Sequence, residues 1–185
     1  MSTKVTTGPA RLSYCNVFKP RAFQEGDKEK YSVTLLIPKK DKKTLKKVKD
    51  AISSEIAEGM ESLWNGKEPK NMWNPLRDGD ESVDDHPEYE GFYTLNAKSD
   101  SKPVLLDEDG EELLDQSEIY SGCWARGAIT FFAFNNKTKG VGVALNALKK
   151  YKDDEPFGSA MTVDSAKKAF DDDDDFDEFE EEDDF

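Results

Sequence analysis

Short runs of alternating apolar and polar residues predict most of the secondary structure of this chain. Within residues 31–37, one face carries Tyr31, Val33, Leu35 and Ile37. Alternation of this kind is typical of a β-strand. Similar patterns predict strands over 3–18, with a bend at Gly8-Pro9, and over 92–98, 104–106, 123–134 and 141–148.

One stretch follows the helical period instead. Asp41 is suited to cap a helix, and the apolar side chains behind it recur at steps of three and four: Leu45, Val48, Ile52, Ile56 and Met60. The spacing predicts an amphipathic helix that ends near Gly59. Its other side carries Lys42, Lys43, Lys46, Lys47 and Lys49. We interpret these lysines as a solvated face, with direct contact to a nucleic acid as the alternative.

Residues 64–90 follow no period. Their three prolines, two glycines and the pair Trp64 and Trp73 predict a long, partly packed excursion. About five strands with one helix and long connections favour a mainly β fold, a five-stranded OB-type Greek-key barrel. A doubly wound α/β sheet is disfavoured because only one convincing helix is present. Residues 1–158 then form the domain with 64–90 inserted, and 159–185 form a flexible linker and acidic tail.

Charge is distributed very unevenly along the chain. The 26 basic and 40 acidic residues give a net charge of −14. Twelve of the acids fall in 171–185, so residues 1–170 hold 28 acids against 26 bases, a balance of −2. Residues 1–50 hold 13 bases against 5 acids, a balance of +8. The acidic total therefore hides a basic first part that can meet a polyanion.

The last fifteen residues read DDDDDFDEFEEEDDF and end in Phe185. Such a block of like charge repels itself and predicts disorder. A solubilising tail is one interpretation. The spaced phenylalanines favour another, in which the tail imitates a nucleic-acid strand. The residues expected to bind partners in this way are Asp171, Asp175, Phe176, Phe179, Asp184 and Phe185.

The strand predicted at 123–134 has two unlike faces. The small and aliphatic face belongs in a core, whereas the other face carries Trp124, Arg126, Ala128, Thr130, Phe132 and Phe134. Aromatic rings beside a guanidinium suit base stacking combined with phosphate neutralisation. In the alternative, the rings pack beneath the excursion and Arg126 pairs with one of its acids.

Aromatic and basic side chains interleave in the same way on the other predicted strands and loops. Stacking tolerates any base, so this pattern predicts single-strand binding with little sequence preference. The DNA-binding candidates are Tyr14, Phe18, Lys19, Arg21, Lys30, Tyr31, Lys98, Trp124, Arg126, Phe132, Phe134, Lys137, Lys139, Lys149, Lys150 and Lys152.

An enzyme is the less favoured class. The excursion holds the one cluster suited to a divalent metal: Asp78, Asp80, Glu81, Asp84, Asp85, His86 and Glu88. Metal-dependent nucleases fix such ligands on rigid elements, whereas these lie in a Gly- and Pro-containing loop. The sequence lacks a phosphate-cradling glycine loop and a nucleophile motif. We therefore expect a solvated acidic loop, with no catalytic residue, metal or cofactor.

Several stretches resemble a tailed-phage family of single-stranded-DNA-binding proteins. They are residues 11–20 (RLSYCNVFKP), 30–39 (KYSVTLLIPK), 119–126 (IYSGCWAR), 129–136 (ITFFAFNN), 139–148 (KGVGVALNAL) and 154–158 (DEPFG). The resemblance covers most of 3–158 and is most specific at the C-terminal hairpin. It implies an OB fold, single-stranded DNA as the ligand, and a tail that contacts replication proteins such as a polymerase, helicase or recombinase.

The sequence thus predicts a non-enzymatic protein that coats single-stranded DNA in replication or recombination. In the absence of DNA, the tail occupies the DNA groove. The rivals are a scaffold or chaperone that uses the tail to bind basic partners, and an RNA binder. No signal peptide or membrane span is recognised, so we expect an intracellular protein in the cytoplasm of an infected bacterium. Tail exchange into a homodimer is left open.

Overall fold

The computed structural model describes residues 3–22, 24–157 and 163–172. Its strands are β1 (Thr3–Thr6), β2 (Ala10–Arg21), β3 (Lys30–Pro38), β4 (Leu76–Asp78), β5 (Phe92–Ser99), β6 (Val104–Leu106), β7 (Trp124–Asn135) and β8 (Lys139–Lys152). The helices are α1 (Lys42–Ser62) and α2 (Val163–Asp172). Short 3-10 turns lie at Gly79–Ser82, Pro87–Tyr89 and Gln116–Glu118.

Five of the strands close into a barrel. β3 pairs antiparallel with β2 and β5, and β7 pairs antiparallel with β8 and β2. β5 meets β8 in parallel, with Lys98 opposite Ala144. The pairings therefore form a closed cycle, β2–β3–β5–β8–β7–β2, which is the five-stranded Greek-key arrangement of the OB fold. The predicted fold class is confirmed.

Alternate strand positions fill the barrel. On β3 the core side chains are Val33, Leu35 and Ile37, while Ser32, Thr34 and Leu36 of the opposite face are buried as well; on β7 the core side chains include Ile129 and Phe131. Both sets lie on the faces that alternation in the sequence had assigned to the core. Burial of these side chains supplies the main stabilisation of the barrel, at about 1.5–3 kcal/mol for each fully buried large apolar residue.

Helix α1 packs against β1, β7 and β8. It buries the first part of its predicted apolar stripe, including Leu45, Val48 and Ile52. The Asp41 side chain accepts a hydrogen bond from the backbone N–H of Thr44 at 3.2 Å, so the predicted cap is confirmed. The helix runs to Ser62, about a turn beyond the expected end.

The excursion is packed onto the barrel. β4 pairs antiparallel with β5, with Arg77 opposite Thr94. Further along the excursion, Tyr89 is buried and its side chain is hydrogen-bonded to Ser13 of β2. Residues 76–90 therefore lie against the side of the barrel, as a partly packed segment should.

Three features differ from the sequence-based expectation. Strand β2 continues beyond the strand expected at 3–18, because it pairs with β3 as far as Arg21 opposite Lys30. Gly8-Pro9 separates two strands, and β1 joins β7. Helix α2 occupies part of the expected linker. Neither α1 nor α2, the helices of the described ranges, is long and apolar enough to cross a membrane.

Candidate nucleic-acid interface

The barrel topology indicates where a nucleic acid would lie. OB folds bind oligonucleotides on the face of their second and third strands, between the first loop and the last. In this barrel those strands are β3 and β5. The loops are residues 22–29, between β2 and β3, and residues 136–138, between β7 and β8. We call this face, with its two loops, the groove.

Polar side chains lie along the centre of the groove. The register places Ser32 opposite Lys98 and Thr34 opposite Asn96. The Thr34 hydroxyl donates a hydrogen bond of 2.6 Å to the Asn96 side-chain oxygen. Asn96 and Lys98 are exposed. This row therefore presents an amide and an ammonium to a ligand.

Lys28, Lys30 and Lys98 lie near the first loop, together with the acids Asp27 and Asp100. Burial lowers the pKa of Lys98, and the nearby ammonium of Lys30 lowers it further. Lys28 and Lys30 lie 3.5 and 3.7 Å from the carboxylate of Asp100. One carboxylate shared by an exposed and a half-buried lysine is a weak restraint, because ion pairs at the protein surface contribute about 0–1 kcal/mol. A phosphate could therefore take the place of Asp100 at little cost and relieve the repulsion at Lys98.

Two aromatic rings of β7 lie on the outer side of the barrel. Phe132 and Phe134 have ring centroids 6.4 Å apart, and Phe132 is 38% exposed. Phe132 lies opposite Gly142 of β8. A Cβ at Gly142 would come within 2.5 Å of the tip of that ring, so the absent side chain lets the ring lie against the strand. Because Lys98 is opposite Ala144 in parallel strands, Gly142 is level with Asn96, and the ring adjoins the polar row.

The excursion contributes an aromatic and a cation that the sequence-based candidates missed. Trp73 forms a backbone bridge to Gly140, and its indole is 41% exposed. The Arg77 guanidinium lies 4.2 Å from the centroid of the Trp73 ring. Pairing of β4 with β5 brings Arg77 beside Thr94 on the groove face. The one signal in the sequence was a Trp and an Arg in the same aperiodic polar segment.

Tyr14 forms one wall of the groove together with the excursion. Its backbone has a φ of 46°, and its ring is 54% exposed. The ring meets His86 edge-on at 5.7 Å, and His86 in turn stacks on the buried Tyr89 at 4.5 Å. A left-handed conformation in a tyrosine is uncommon and stores strain, which occurs most often at functional positions.

Trp124 lies at a separate corner, where the chain leaves β8. Its indole N–H donates a hydrogen bond of 2.8 Å to Asp154, and the Lys152 ammonium lies 5.1 Å from its ring centroid. The indole hydrogen bond, followed by the Glu155 backbone N–H, lowers the pKa of Asp154. Nearby, the Arg11 guanidinium lies 4.2 Å from the ring centroid of Phe157. The polar edge of Trp124 is thus occupied by the protein's own acidic segment.

Arg126 and Lys150 have partners within the barrel. Arg126 donates to the backbone oxygen of Thr7 at 3.0 Å, which differs from the excursion acid considered as an alternative. Lys150 is buried and forms a short ion pair with Asp153. Burial alone would lower the pKa of Lys150, but Asp153 outweighs it and the pKa is raised. Lys150 is therefore not presented to DNA, and we leave it out of the groove.

The remaining candidates are spread over the surface. Phe18 packs partly against the core, with the Lys102 ammonium 5.9 Å from its ring centroid. Half-buried candidates are Lys30, Tyr31 and Lys149; exposed ones are Lys19, Arg21, Lys137, Lys139 and Lys152. Of the tail candidates, Asp171 lies at the end of α2. The others, Asp175, Phe176, Phe179, Asp184 and Phe185, lie outside the described residues.

The acids of the excursion have local roles. Asp78 and Asp80 both bind the Lys39 ammonium, at 2.6 and 2.5 Å. Hydrogen bonds from Lys39 lower the pKa of both carboxyl groups. Within the described ranges, acidic, His and Cys side chains do not gather in threes as a metal site requires.

Comparison with known proteins adds three findings. A family model described as the single-stranded-DNA-binding protein of Enterobacter phage Enc34 matches residues 3–185. The solved structure of the bacteriophage Enc34 single-stranded DNA-binding protein in complex with ssDNA is 33% identical, with a TM-score of 0.71 over 84% of this chain and 89% of that one. The T7 single-stranded DNA-binding protein gp2.5 shares the fold at 16% identity, with a TM-score of 0.63 over 91% of this chain and 94% of that one.

A curated relative from a further phage also matches. It is the putative protein p50 of Acyrthosiphon pisum secondary endosymbiont phage 1. This relative is 27% identical over 164 residues, which cover 83% of this chain and 86% of the relative. The similarity therefore extends over more than four fifths of both chains.

Proposed function

Because this chain belongs to the family of phage single-stranded-DNA-binding proteins that includes the Enc34 protein, we propose that it coats single-stranded DNA along the groove without sequence preference. The proposal rests on one observation: cations and exposed aromatic rings lie on the same face of the barrel. Lys30 and Lys98 lie at one end of the groove, and Trp73, Arg77 and Phe132 border the other.

Phosphates bind through the cations. Each lysine or arginine that neutralises a phosphate releases a counterion, so affinity falls steeply with salt. Burial and the nearby Lys30 ammonium lower the pKa of Lys98. A phosphate at this site would supply charge-assisted hydrogen bonds and offset both effects.

Bases bind through the rings. Trp73 and Phe132 each keep an exposed surface, and Tyr14 offers a third ring at the wall. Stacking contributes about 1–3 kcal/mol per base and tolerates any base, because every base has a π-face. The polar row of Thr34 and Asn96 is too short to read an extended sequence.

The tail, residues 171–185, competes with DNA for the groove. Its twelve carboxylates stand in for phosphates and its three phenylalanines for bases. The corner at Trp124 supports this role, because an acidic-aromatic segment of the same chain, Asp153 to Phe157, is held there by Arg11 and Trp124. This short sequence, Asp-Asp-Glu-Pro-Phe, combines acids with a phenylalanine, and the tail has the same combination over a greater length.

DNA that fills the groove releases the tail for other proteins. The acids and Phe185 then dock on a basic, apolar surface of a polymerase, helicase or recombinase in the cytoplasm of the infected cell. A variant that keeps the acids but carries Phe185→Ala is expected to lose this recruitment and to bind DNA at least as tightly as the full protein, because its tail competes less well for the groove. Co-sedimentation with the phage's own replication proteins on DNA measures the first property.

The function is tested by titrating tryptophan fluorescence with oligo-dT at low and high salt. Two chains are compared: the full protein and a variant that stops after Asp172, which keeps all of α2. Quenching that weakens with salt, and is stronger in the shortened variant at low salt, supports groove binding under tail competition. Equal affinity of the two chains at low salt rejects the competition.

Two other outcomes change the function. If neither chain binds oligo-dT, the proposal is rejected. The alternative function, a scaffold that binds basic partners through its tail, is then favoured. Tighter binding of oligo-rU than of oligo-dT by the shortened variant indicates an RNA binder, since a 2′-hydroxyl then contributes to affinity.

A further inference from the structure

A second basic surface lies on helix α1, outside the groove. It is a pocket of about 450 Å³ bordered by Lys39, Lys42, Lys46, Lys49 and the acid Asp50, with Leu45 and Tyr93 as its apolar lining. Tyr93 alternates with Thr94 on β5, so its side chain is on the opposite face of the strand from Asn96 and Lys98. We call this feature the lysine pocket.

The positive charge of the lysine pocket is only partly compensated. Lys39 is bound by Asp78 and Asp80. Lys46 makes an exposed pair with Asp50 at 3.3 Å, of the weak kind found along helix surfaces. Lys42 is exposed, and the Lys49 ammonium lies 5.4 Å from the ring centroid of Tyr93. An anionic ligand would therefore meet two or more available ammonium groups.

The apolar lining selects the kind of anion. The ammonium groups of Lys39 and Lys49 lie 5.3 and 5.4 Å from the centroid of the Tyr93 ring. Leu45 is buried beneath them. A phenyl ring flanked by carboxylates fits this combination, because the ring can pack on Tyr93 and Leu45 while the carboxylates reach the lysines. A sugar-phosphate chain would use the lysines alone.

We propose that the lysine pocket holds the tail of this protein, with one phenylalanine of 171–185 in the pocket and the neighbouring acids on its lysines. The proposal goes beyond competition for the groove, since it gives the tail that DNA releases a second site on its own barrel, for which a partner protein would then compete. Charge complementarity favours this occupant: the tail has twelve carboxylates and three phenylalanines, and the pocket has a cluster of lysines beside an aromatic ring.

The chain can reach the pocket. Phe157 is held at Arg11, which is opposite Leu36 of β3, three residues before Lys39. The five residues from 158 to 162 span up to about 17 Å when extended, and the ten residues of α2 span about 15 Å. The tail therefore starts within a few nanometres of the lysine pocket.

Zero-length carbodiimide coupling of the full-length protein tests the proposal, because it joins only carboxylates and amines in contact. Peptide mass spectrometry then compares pocket lysines with two exposed lysines of the same helix, Lys43 and Lys47, as an internal control. We expect tail carboxylates to couple several-fold more to Lys42, Lys46 and Lys49 than to the control pair. The preference should persist with saturating oligo-dT.

A variant of the tail distinguishes the contribution of the phenyl rings to pocket binding from that of the carboxylates. Replacing Phe176, Phe179 and Phe185 by Ala keeps all twelve carboxylates, and we expect it to lower coupling at the pocket to the level of the control pair. Three results would overturn the proposal: even coupling to both sets of lysines, loss of pocket coupling when oligo-dT is bound, or no effect of the Phe replacements. None of these depends on the fluorescence titration, so DNA binding by the groove is judged separately.

Discussion

Arg77 lies over the indole of Trp73, with its guanidinium carbon 4.2 Å from the ring centroid. A cation–π contact of this kind is worth about 0.5–1 kcal/mol at an exposed site. It holds one ring face against a cation and fixes the plane of the indole, while 41% of Trp73 stays exposed. The pair therefore offers a DNA strand an ordered platform with a positive charge beside it.

Replacing Trp73 by Ala is expected to weaken oligo-dT binding by about 1–3 kcal/mol, the contribution of one stacked base. The loss arises mainly from stacking, so the salt dependence should change little. Arg77→Ala should instead reduce the salt slope, because it removes a phosphate contact. Fluorescence anisotropy of labelled oligo-dT over a salt series measures both. Phe170→Ala, at an exposed aromatic of α2, is the matched control.

Substitutions at Gly142 and at Phe132 should affect DNA binding through the same aromatic ring. A Cβ at Gly142 would meet the tip of the Phe132 ring at 2.5 Å, so Gly142→Ala displaces the ring rather than the backbone. We expect Gly142→Ala to weaken DNA binding about as much as Phe132→Ala, and the double variant to be no worse than either alone. Additive losses in the double-mutant cycle would mean that the glycine acts on DNA independently of the ring.

Lys98 should make DNA binding depend on pH. Its pKa is lowered in the free protein by burial and by Lys30, and a bound phosphate would raise it. Binding then takes up protons between the two pKa values, so affinity falls as the pH rises through that interval. Lys98→Arg keeps the charge at every accessible pH. We expect it to bind DNA and to lack this alkaline decrease; an unchanged pH profile would exclude Lys98 as the source.

Lys150 and Asp153 should affect stability and leave DNA binding intact. Asp153→Ala removes a hydrogen bond to a buried ammonium and is expected to lower the free energy of unfolding by about 1–3 kcal/mol. Lys150→Met should cost less, because an apolar side chain of similar length fills the same buried space. Oligo-dT affinity and salt slope should stay at wild-type values in Lys150→Met. A reduced salt slope in this variant would indicate that Lys150 does contact DNA.

The same pair predicts a change in acid stability. Hydrogen bonds from Lys150 and Tyr120 lower the pKa of Asp153 in the folded state. Its stabilisation is therefore fully present above the unfolded pKa of about 3.9 and is lost as the pH falls through the lower folded value. Urea unfolding of wild type and Asp153→Ala across this range should converge as Asp153 becomes protonated. A constant difference would show that ionisation of Asp153 is not involved.

Local periodicity in the sequence predicted the barrel well. Along β7, Ile129 and Phe131 are buried while Phe132 is exposed, as alternation required. In α1, the cap at Asp41 and the buried Val48 agree with the helical pattern. These elements could be predicted because each follows a fixed period over many residues and one side of it is buried.

The inward position of Lys150 could not be predicted from alternation. Ile129 pairs with Leu145, but Ala128 pairs with Ala147, so Asn146 is an extra residue in β8. Such a bulge exchanges the two faces of the strand beyond it. A single unpaired residue thus moves Lys150 from the expected outer face into the barrel.

Trp73 and Arg77 were missed for a different reason. Their placement depends on pairing with Gly140 and Thr94, which are distant along the chain. Strand β4 is only three residues long, so the local sequence has no repeating pattern from which it could be predicted. Conversely, Phe18 was a candidate for stacking, but it packs partly against the core because it follows the irregular stretch of β2.

The pairing of β1 with β7 sets the order in which this protein can acquire its structure during synthesis. Thr3 is opposite Phe131, so β1 cannot pair until nearly all of the barrel sequence has emerged from the ribosome. Contacts of such long sequence separation make closure slow compared with helix formation. The acidic tail leaves the ribosome after every barrel strand, so the strands that form the groove emerge before the segment that we propose as their competitor for DNA.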